Sequence, residues 1–186
     1  ASKEEILERI NNNTITDILN KIEVKAGDVV MVKAGTIHAI GAGVFICEIQ
    51  QNSNCTYRMY DYDRRDKFGN PRELHVKKAL DVVDNHKYIK DNKTEVVIAR
   101  NEHFTEERLV QCKYFEVYKY DVNDEAKITV DEASFVSVLF INGSGTIETD
   151  DYEKTMEFKA GDSFFVSAGL RSIIIKGQAT MVVTRV

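Results

Sequence analysis

KAGDVVMVKAG at residues 25–35 is echoed by KAGDSFFVSAG at residues 159–169, and this pair of segments decides how the chain is read. Seven of the eleven positions are identical (Lys25/Lys159, Ala26/Ala160, Gly27/Gly161, Asp28/Asp162, Val32/Val166, Ala34/Ala168, Gly35/Gly169), at a constant spacing of 134 (159 − 25). A self-match at fixed spacing implies two copies of one structural unit. In each copy Gly-Asp makes a tight turn, the next four residues make a strand, and Ala-Gly makes a second turn that sends the chain back. Beyond that turn the copies part: Thr36-Ile37-His38 follows the first and Leu170-Arg171-Ser172 the second. A repeat that keeps its turns and drops its histidine predicts one functional copy and one structural copy.

Around the first copy, VVMV (29–32), VFICEI (44–49) and TYRMY (56–60) read as short strands between Gly and Asn turns. Before it, Ser2 and Glu5 have capping-box spacing ahead of Ile6, Leu7 and Ile10, which predicts a first helix. Thr14 to Lys21 predicts a second, with Ile15, Ile18, Leu19 and Ile22 on one side. After the polar crossing DYDRRDKFGNP (61–71), Arg72 to Val83 predicts a third helix, with Val76, Leu80 and Val83 on its buried face and His75 on the wetter one. From about residue 95 onward the text is strand after strand, with Asn142-Gly143-Ser144-Gly145 as a hairpin turn signal. Many short strands and few helices predict a mainly β sandwich or small barrel.

Composition removes whole classes of function. The chain has 186 residues, 25 basic and 30 acidic, for a formal net charge of −5. No basic stripe offsets that balance, so a general nucleic-acid binder is excluded. No apolar run approaches the roughly 20 residues of a membrane span, and the charged, amphipathic ASKEEILERI opening is no secretory signal. Three cysteines (47, 55 and 112) with no CxxC pair read as reduced thiols of a cytoplasmic protein, Cys47 as a core filler inside VFICEI.

The turn–strand–turn–His pattern resembles the second half of the cupin signature, which runs Gly, five residues, a usual Pro, any residue, Gly, two residues, His. Here the anchors are Gly27, Gly35 and His38; Lys33 stands at the usual proline, Ala26 where another often precedes the first glycine, and Ala42 at the closing Asn. Proline presets φ at such turns, so the departures leave the Gly and His anchors to carry the likeness.

The longer stretch AGTIHAIGAGVFICEIQQNSNCTYRMYDYDR (34–64), with Gly-Asn-Pro-Arg-Glu-Leu-His after it, resembles the bacterial type I mannose-6-phosphate isomerases. That resemblance implies a metal-dependent enzyme, usually with zinc, which interconverts mannose 6-phosphate and fructose 6-phosphate. It places His38 as a metal ligand, Glu48 as a pocket carboxylate for proton transfer and Arg58 near the reacting carbons. The family's other ligands lie in Gln-Val-His-Pro and Lys-Thr-Glu segments that this chain lacks; its four histidines are 38, 75, 86 and 103. The resemblance therefore implies the C-terminal part of the enzyme. Residues 1–83 would be the second half of the catalytic cupin with helical insertions, 84–107 a linker, and 108–186 a complete, metal-free second cupin.

The expected chemistry is proton transfer between neighbouring carbons through an enediolate. Zinc suits the enediolate oxygens as a Lewis acid, Arg58 suits a fixed positive charge, and Glu48 suits a proton relay if burial raises its pKa. Each has a plainer reading: His38 as a hydrogen-bonded loop residue, Glu48 as a solvated strand residue, Arg58 as the ion-pair partner of Asp61 or Asp63. One histidine cannot make a zinc site, which needs three or four ligands. A second reading is thus a non-catalytic cupin module that binds a sugar or sugar phosphate, or scaffolds assembly. In either case a half-cupin should expose Val30, Val32, Phe45 and Ile49. A second copy of the chain, the N-terminal helices or the missing N-terminal segment is expected to cover them.

Overall fold

Two long strands organise the C-terminal half of the molecule. The computed structural model describes residues 1–53, 55–86, 96–150 and 152–186, and the chain divides into two units, Ala1–Lys90 and Asp91–Val186. The second unit holds eight strands in one antiparallel sheet: β1 Val96–Arg100, β2 Phe104–Gln111, β3 Glu116–Val122, β4 Glu125–Val130, β5 Val136–Thr149, β6 Tyr152–Lys159, β7 Ser163–Val166 and β8 Arg171–Arg185. β5 and β8 pair along their full length, from Val136↔Arg185 to Thr149↔Ile173. Each then takes two partners in succession. The first part of β5 pairs with β7 and the later part with β6; the first part of β8 pairs with β4 and the later part with β3. The sheet folds over this shared spine into two leaves, β1-β2-β3-β8-β5-β7 and β4-β8-β5-β6.

The spine bends where the sequence suggested a hairpin. Asn142 to Gly145 lie inside β5, next to a register shift between Phe140 and Asn142. The two glycines serve close approach instead: a Cβ on Gly143 would sit 1.9 Å from the Gln178 carbonyl oxygen, and one on Gly145 would sit 2.0 Å from that of Lys176. Between the leaves lies the core, built by period-2 alternation. β4 buries Ala126, Ile128 and Val130 while exposing the residues between them. β8 contributes Ile173, Ile175, Met181 and Val183, and the Phe140 ring stacks on Phe158 at 3.7 Å between centroids. Tyr118 and Tyr120 are buried in β3 and belong to this core.

The expected boundary at 84–107 moves. Its portion 87–95 lies outside the described residues, but β1 and the start of β2 pair from Val96↔Arg108 to Arg100↔Thr105 and belong to the sheet. β1, VVIAR, is an exposed edge strand of that sheet, and the strand text read from about residue 95 already includes it.

The first unit is built on helices. The helix α1 (Lys3–Asn11) starts at Ser2, whose hydroxyl accepts the Glu5 N–H at 3.1 Å, with Glu4 and Glu5 in the positive first turn. The expected second helix contracts to a 3-10 turn, Ile15–Ile18, because Leu19 is already extended. The third runs only over Val76–Val82 (α2), since His75 spends its N–H on the Arg58 carbonyl at 2.7 Å. Ile6, Ile10 and Ile15 form a small core, against which Ile37, Met59, Tyr60, Val76 and Leu80 pack.

The strands expected at 29–32, 44–49 and 56–60 carry no ladder among the described residues. A strand exists only by pairing, and the unit supplies these segments no partner. Val30, Val32 and Phe45 are exposed, Phe45 at 92%, and Ile49 is half-buried. Cys47 is exposed as well, correcting its reading as a core filler. All three cysteines are free thiols.

Candidate functional site

The predicted site residues flank the small core of the first unit. Ile37 packs on that core immediately before His38, and Met59 and Tyr60 do so between Arg58 and Asp61. The apolar anchors thus fix the backbone on which the polar side chains stand.

His38 is exposed, and its Nδ1 lies 2.8 Å from the Thr36 carbonyl oxygen. A carbonyl only accepts, so Nδ1 carries the proton and donates, leaving the Nε2 lone pair open. That is the imidazole state a metal ligand requires. Glu48 is exposed, without a hydrogen bond or ion pair to another described residue. No described contact joins His38, Glu48 and Arg58 to one another, and among the described residues no group of three or more His, Cys, Asp or Glu gathers as a metal site.

Arg58 is held on three sides. Its N–H donates to His75 Nδ1 at 3.3 Å and its carbonyl accepts from the His75 N–H at 2.7 Å. Its Nη1 donates to the Glu73 carbonyl at 3.3 Å, and its Nε stands 3.8 Å from Asp61 Oδ1. His75 is therefore half-buried against the Arg58 strand segment, not on a wet helix face.

The residues the sequence left without chemistry prove to be the most organised. Asp61 to Arg64 form a turn closed by the Arg64 N–H on the Asp61 carbonyl at 3.0 Å, with Tyr62 (φ 56) and Asp63 (φ 49) both left-handed. Two positive-φ central residues make the mirror-image turn suited to hairpins, a turn that usually takes Asn and Gly. Here the Tyr60–Tyr62 ring contact, 5.0 Å between centroids, and the Arg64–Asp61 ion pair hold it. Arg65 pairs with Asp63 at 2.9 Å, so the charges of this crossing cancel as its alternation suggested. Asp61, however, is buried, with its side chain only 7% exposed. Arg58, Arg64 and Arg72 all converge on its Oδ1, while Oδ2 is buried without a hydrogen-bond partner. Beside it opens a cavity of about 250 Å³, lined by Asn13, Tyr60, Asp61, Asp63, Arg64 and Arg72 among others. Only the odd spacing of acids and arginines in DYDRRD hinted at this hub.

In the second unit the position that echoes His38 is sealed. Ser172 is buried, and its hydroxyl donates to the Asp150 carboxylate, which that bond and the nearby Lys127 hold below its ordinary pKa. The cavity of that unit, about 200 Å³, is lined largely by apolar side chains such as Ile147, Met156, Phe164 and Leu170.

An antiparallel spine shared by two leaves gives the second unit a cupin fold. Residues 105–186 match the family model described as the mannose-6-phosphate isomerase cupin domain. The chain is 41% identical over 190 residues to YvyI of Bacillus subtilis, covering 100% of this chain and 57% of that protein. It is 33% identical over 194 residues to the mannose-6-phosphate isomerase ManA of Bacillus subtilis, covering 99% of this chain and 57% of that one. The crystal structure of the mannose 6-phosphate isomerase from Bacillus subtilis superposes with a TM-score of 0.87 at 38% identity, covering 100% of this chain and 57% of that chain. The likeness carried by residues 34–64 is thus to the mannose-6-phosphate isomerases, and it extends along the whole chain, which matches their C-terminal part. The chain spans 57% of the length of these relatives. No described helix is long and apolar enough to cross a membrane.

Proposed function

We propose that this chain supplies the C-terminal part of an enzyme that interconverts mannose 6-phosphate and fructose 6-phosphate. The observation that carries the reading is His38: its Nδ1–H is committed to the Thr36 carbonyl, leaving Nε2 as a lone-pair donor. With one such donor the chain does not form a zinc site alone; the remaining ligands would come from the portion of the relatives' length that precedes it. Zinc, when bound, would supply a Lewis acid for the sugar's oxygens.

The chain's own residues have separable tasks. His38 presents Nε2 in a fixed tautomer. Arg58 keeps its charge at any physiological pH and offers a fixed guanidinium to the negative charge that develops as a proton leaves the carbon beside the carbonyl. Glu48, exposed and without a partner among the described residues, is the residue proposed to carry that proton to the neighbouring carbon. The apolar side chains Val30, Val32 and Phe45 are the surface onto which the preceding portion would close, and closure would desolvate Glu48 and His38 together. Such an enzyme would act in the cytoplasm on a free sugar phosphate.

The test joins this chain to the preceding part of the relatives' length and measures zinc content and turnover of mannose 6-phosphate. His38→Ala should lose most of the bound zinc, and Arg58→Ala should keep the zinc while losing turnover by about a hundredfold or more. A protein that binds no zinc and converts nothing would end this reading.

A further inference from the structure

We infer that Asp61 is the positioning residue for Arg58, its buried carboxylate holding the guanidinium in one orientation. The inference rests on the reading of Arg58 given above. Arg58 is contacted along two edges: Nη1 donates to the Glu73 carbonyl at 3.3 Å, and Nε faces Asp61 Oδ1 as an ion pair at 3.8 Å, beyond hydrogen-bond distance. Nη2 is the remaining nitrogen, without a partner among the described residues, and so the one left for a substrate oxygen. A guanidinium fixed on two edges meets developing charge without first being reoriented, which is where electrostatic stabilisation is most effective.

Three features separate this arrangement from a surface ion pair. Asp61 is 7% exposed, whereas its partners Arg64 and Arg72 are 62% and 52% exposed. Oδ2 is buried with no hydrogen-bond partner, a placement that costs stability. The carboxylate is delivered by a turn with two non-glycine residues at positive φ, Tyr62 and Asp63, and strain of that kind collects where geometry serves function. One carboxylate also offsets the mutual repulsion of the Arg58, Arg64 and Arg72 guanidiniums. Arg64, which holds the turn, and Arg72 are exposed; Arg58, with its side chain 24% exposed, is the most buried of the three arginines.

The experiment reads the arginine Nε–Hε resonances by nitrogen-15 relaxation in the 186-residue chain. The native Arg58 signal should show restricted motion, and Asp61→Asn should release it while the backbone amide spectrum stays native. Restricted motion of Arg58 persisting in folded Asp61→Asn overturns the proposal. Should Asp61→Asn fail to fold, Arg72→Ala decides: it removes only a 3.8 Å contact and leaves the Arg64–Asp61 pair that holds the turn, so Arg58 must stay ordered, and its release overturns the proposal. In the enzyme completed as above, Asp61→Asn should lower kcat about ten- to a hundredfold with KM little changed, and Asp61→Glu should recover part of both kcat and Arg58 order. Release of Arg58 with undiminished kcat would overturn the catalytic reading of Arg58 and leave its positioning by Asp61 standing.

Discussion

The two copies of KAGD-x4-x-AG have the same turns and different fates. In the first, the Lys25 N–H donates to Asp28 Oδ2 at 3.1 Å and Gly27 has φ 92; in the second, the Lys159 N–H donates to Asp162 Oδ2 at 2.9 Å and Gly161 has φ 91. The closing Asp N–H bonds, to Lys25 and Lys159 carbonyls, are 3.1 Å in both. Four residues later the likeness ends. Ser163–Val166 is a strand on β5, from Val136↔Val166 to Leu139↔Ser163, whereas 29–32 carries no ladder and exposes Val30 and Val32. The turn is written in its own four residues; the strand is written in its neighbour. The Asx-type bond needs only Asp and a free N–H, while a β segment needs a partner strand, which the described residues of the first unit do not supply.

The strongest way to break this contrast is to take the partner from the second copy. Gly145→Ala would drive a Cβ to 2.0 Å from the Lys176 carbonyl oxygen and force β5 away from β8. A loss of about 5 kcal/mol is expected, and amide hydrogen exchange should find 163–166 as unprotected as 29–32. A smaller loss, about 3–5 kcal/mol, is expected for Phe140→Ala, which removes packing on Phe158 but no pairing. Its thermal midpoint should fall while 163–166 stays protected below it. Smaller again are Asp28→Ala and Asp162→Ala, each worth about 1 kcal/mol of turn stability. If the turn is local, chemical shifts at 25–28 and 159–162 should change alike, and unequal changes would show that the strand feeds back on the turn.

The weakest effect sharpens the picture by pH. The His103 Nδ1 contacts the Asp124 carboxylate at 2.8 Å; this bond raises the imidazole above its ordinary 6.5 and lowers the carboxyl below its ordinary 3.8. The histidine's contribution is complete below pH 6.5 and is lost as pH rises through its raised value. The carboxylate's is complete above pH 3.8 and is lost as pH falls through its lowered value. Both groups are solvent-exposed, so the second unit's midpoint should drop only slightly between about pH 5.5 and 8.5, and Asp124→Asn should remove that drop.

What the sequence disclosed follows the same division. The repeat, the Ser2 cap and the mainly β character were legible, because turns, caps and strand-length apolar runs are local. Asn142–Gly145 misread as a hairpin because its glycines answer to Gln178 and Lys176, far along the chain. Residues 44–49 and 56–60 misread as strands because apolar alternation alone does not supply the neighbouring strand that a ladder needs. At the site, the resemblance of 34–64 offers His38, Glu48 and Arg58 as candidates. Asp61 was not singled out, since DYDRRD reads as a solvated charge run until Arg58, Arg64 and Arg72 are seen on one oxygen.

The β5–β8 spine also sets an order of events during synthesis. β8 is the last strand of its unit to leave the ribosome, yet β3, β4 and β5 all need it as a neighbour. Until residues 171–185 emerge, the unit has hairpins and no closed core, with the edges of β3, β4 and β5 open to other nascent chains. Folding of this half therefore waits until residues 171–185 have emerged, and β5, which pairs with β8 from Val136 to Thr149, is the longest stretch left without that neighbour until then.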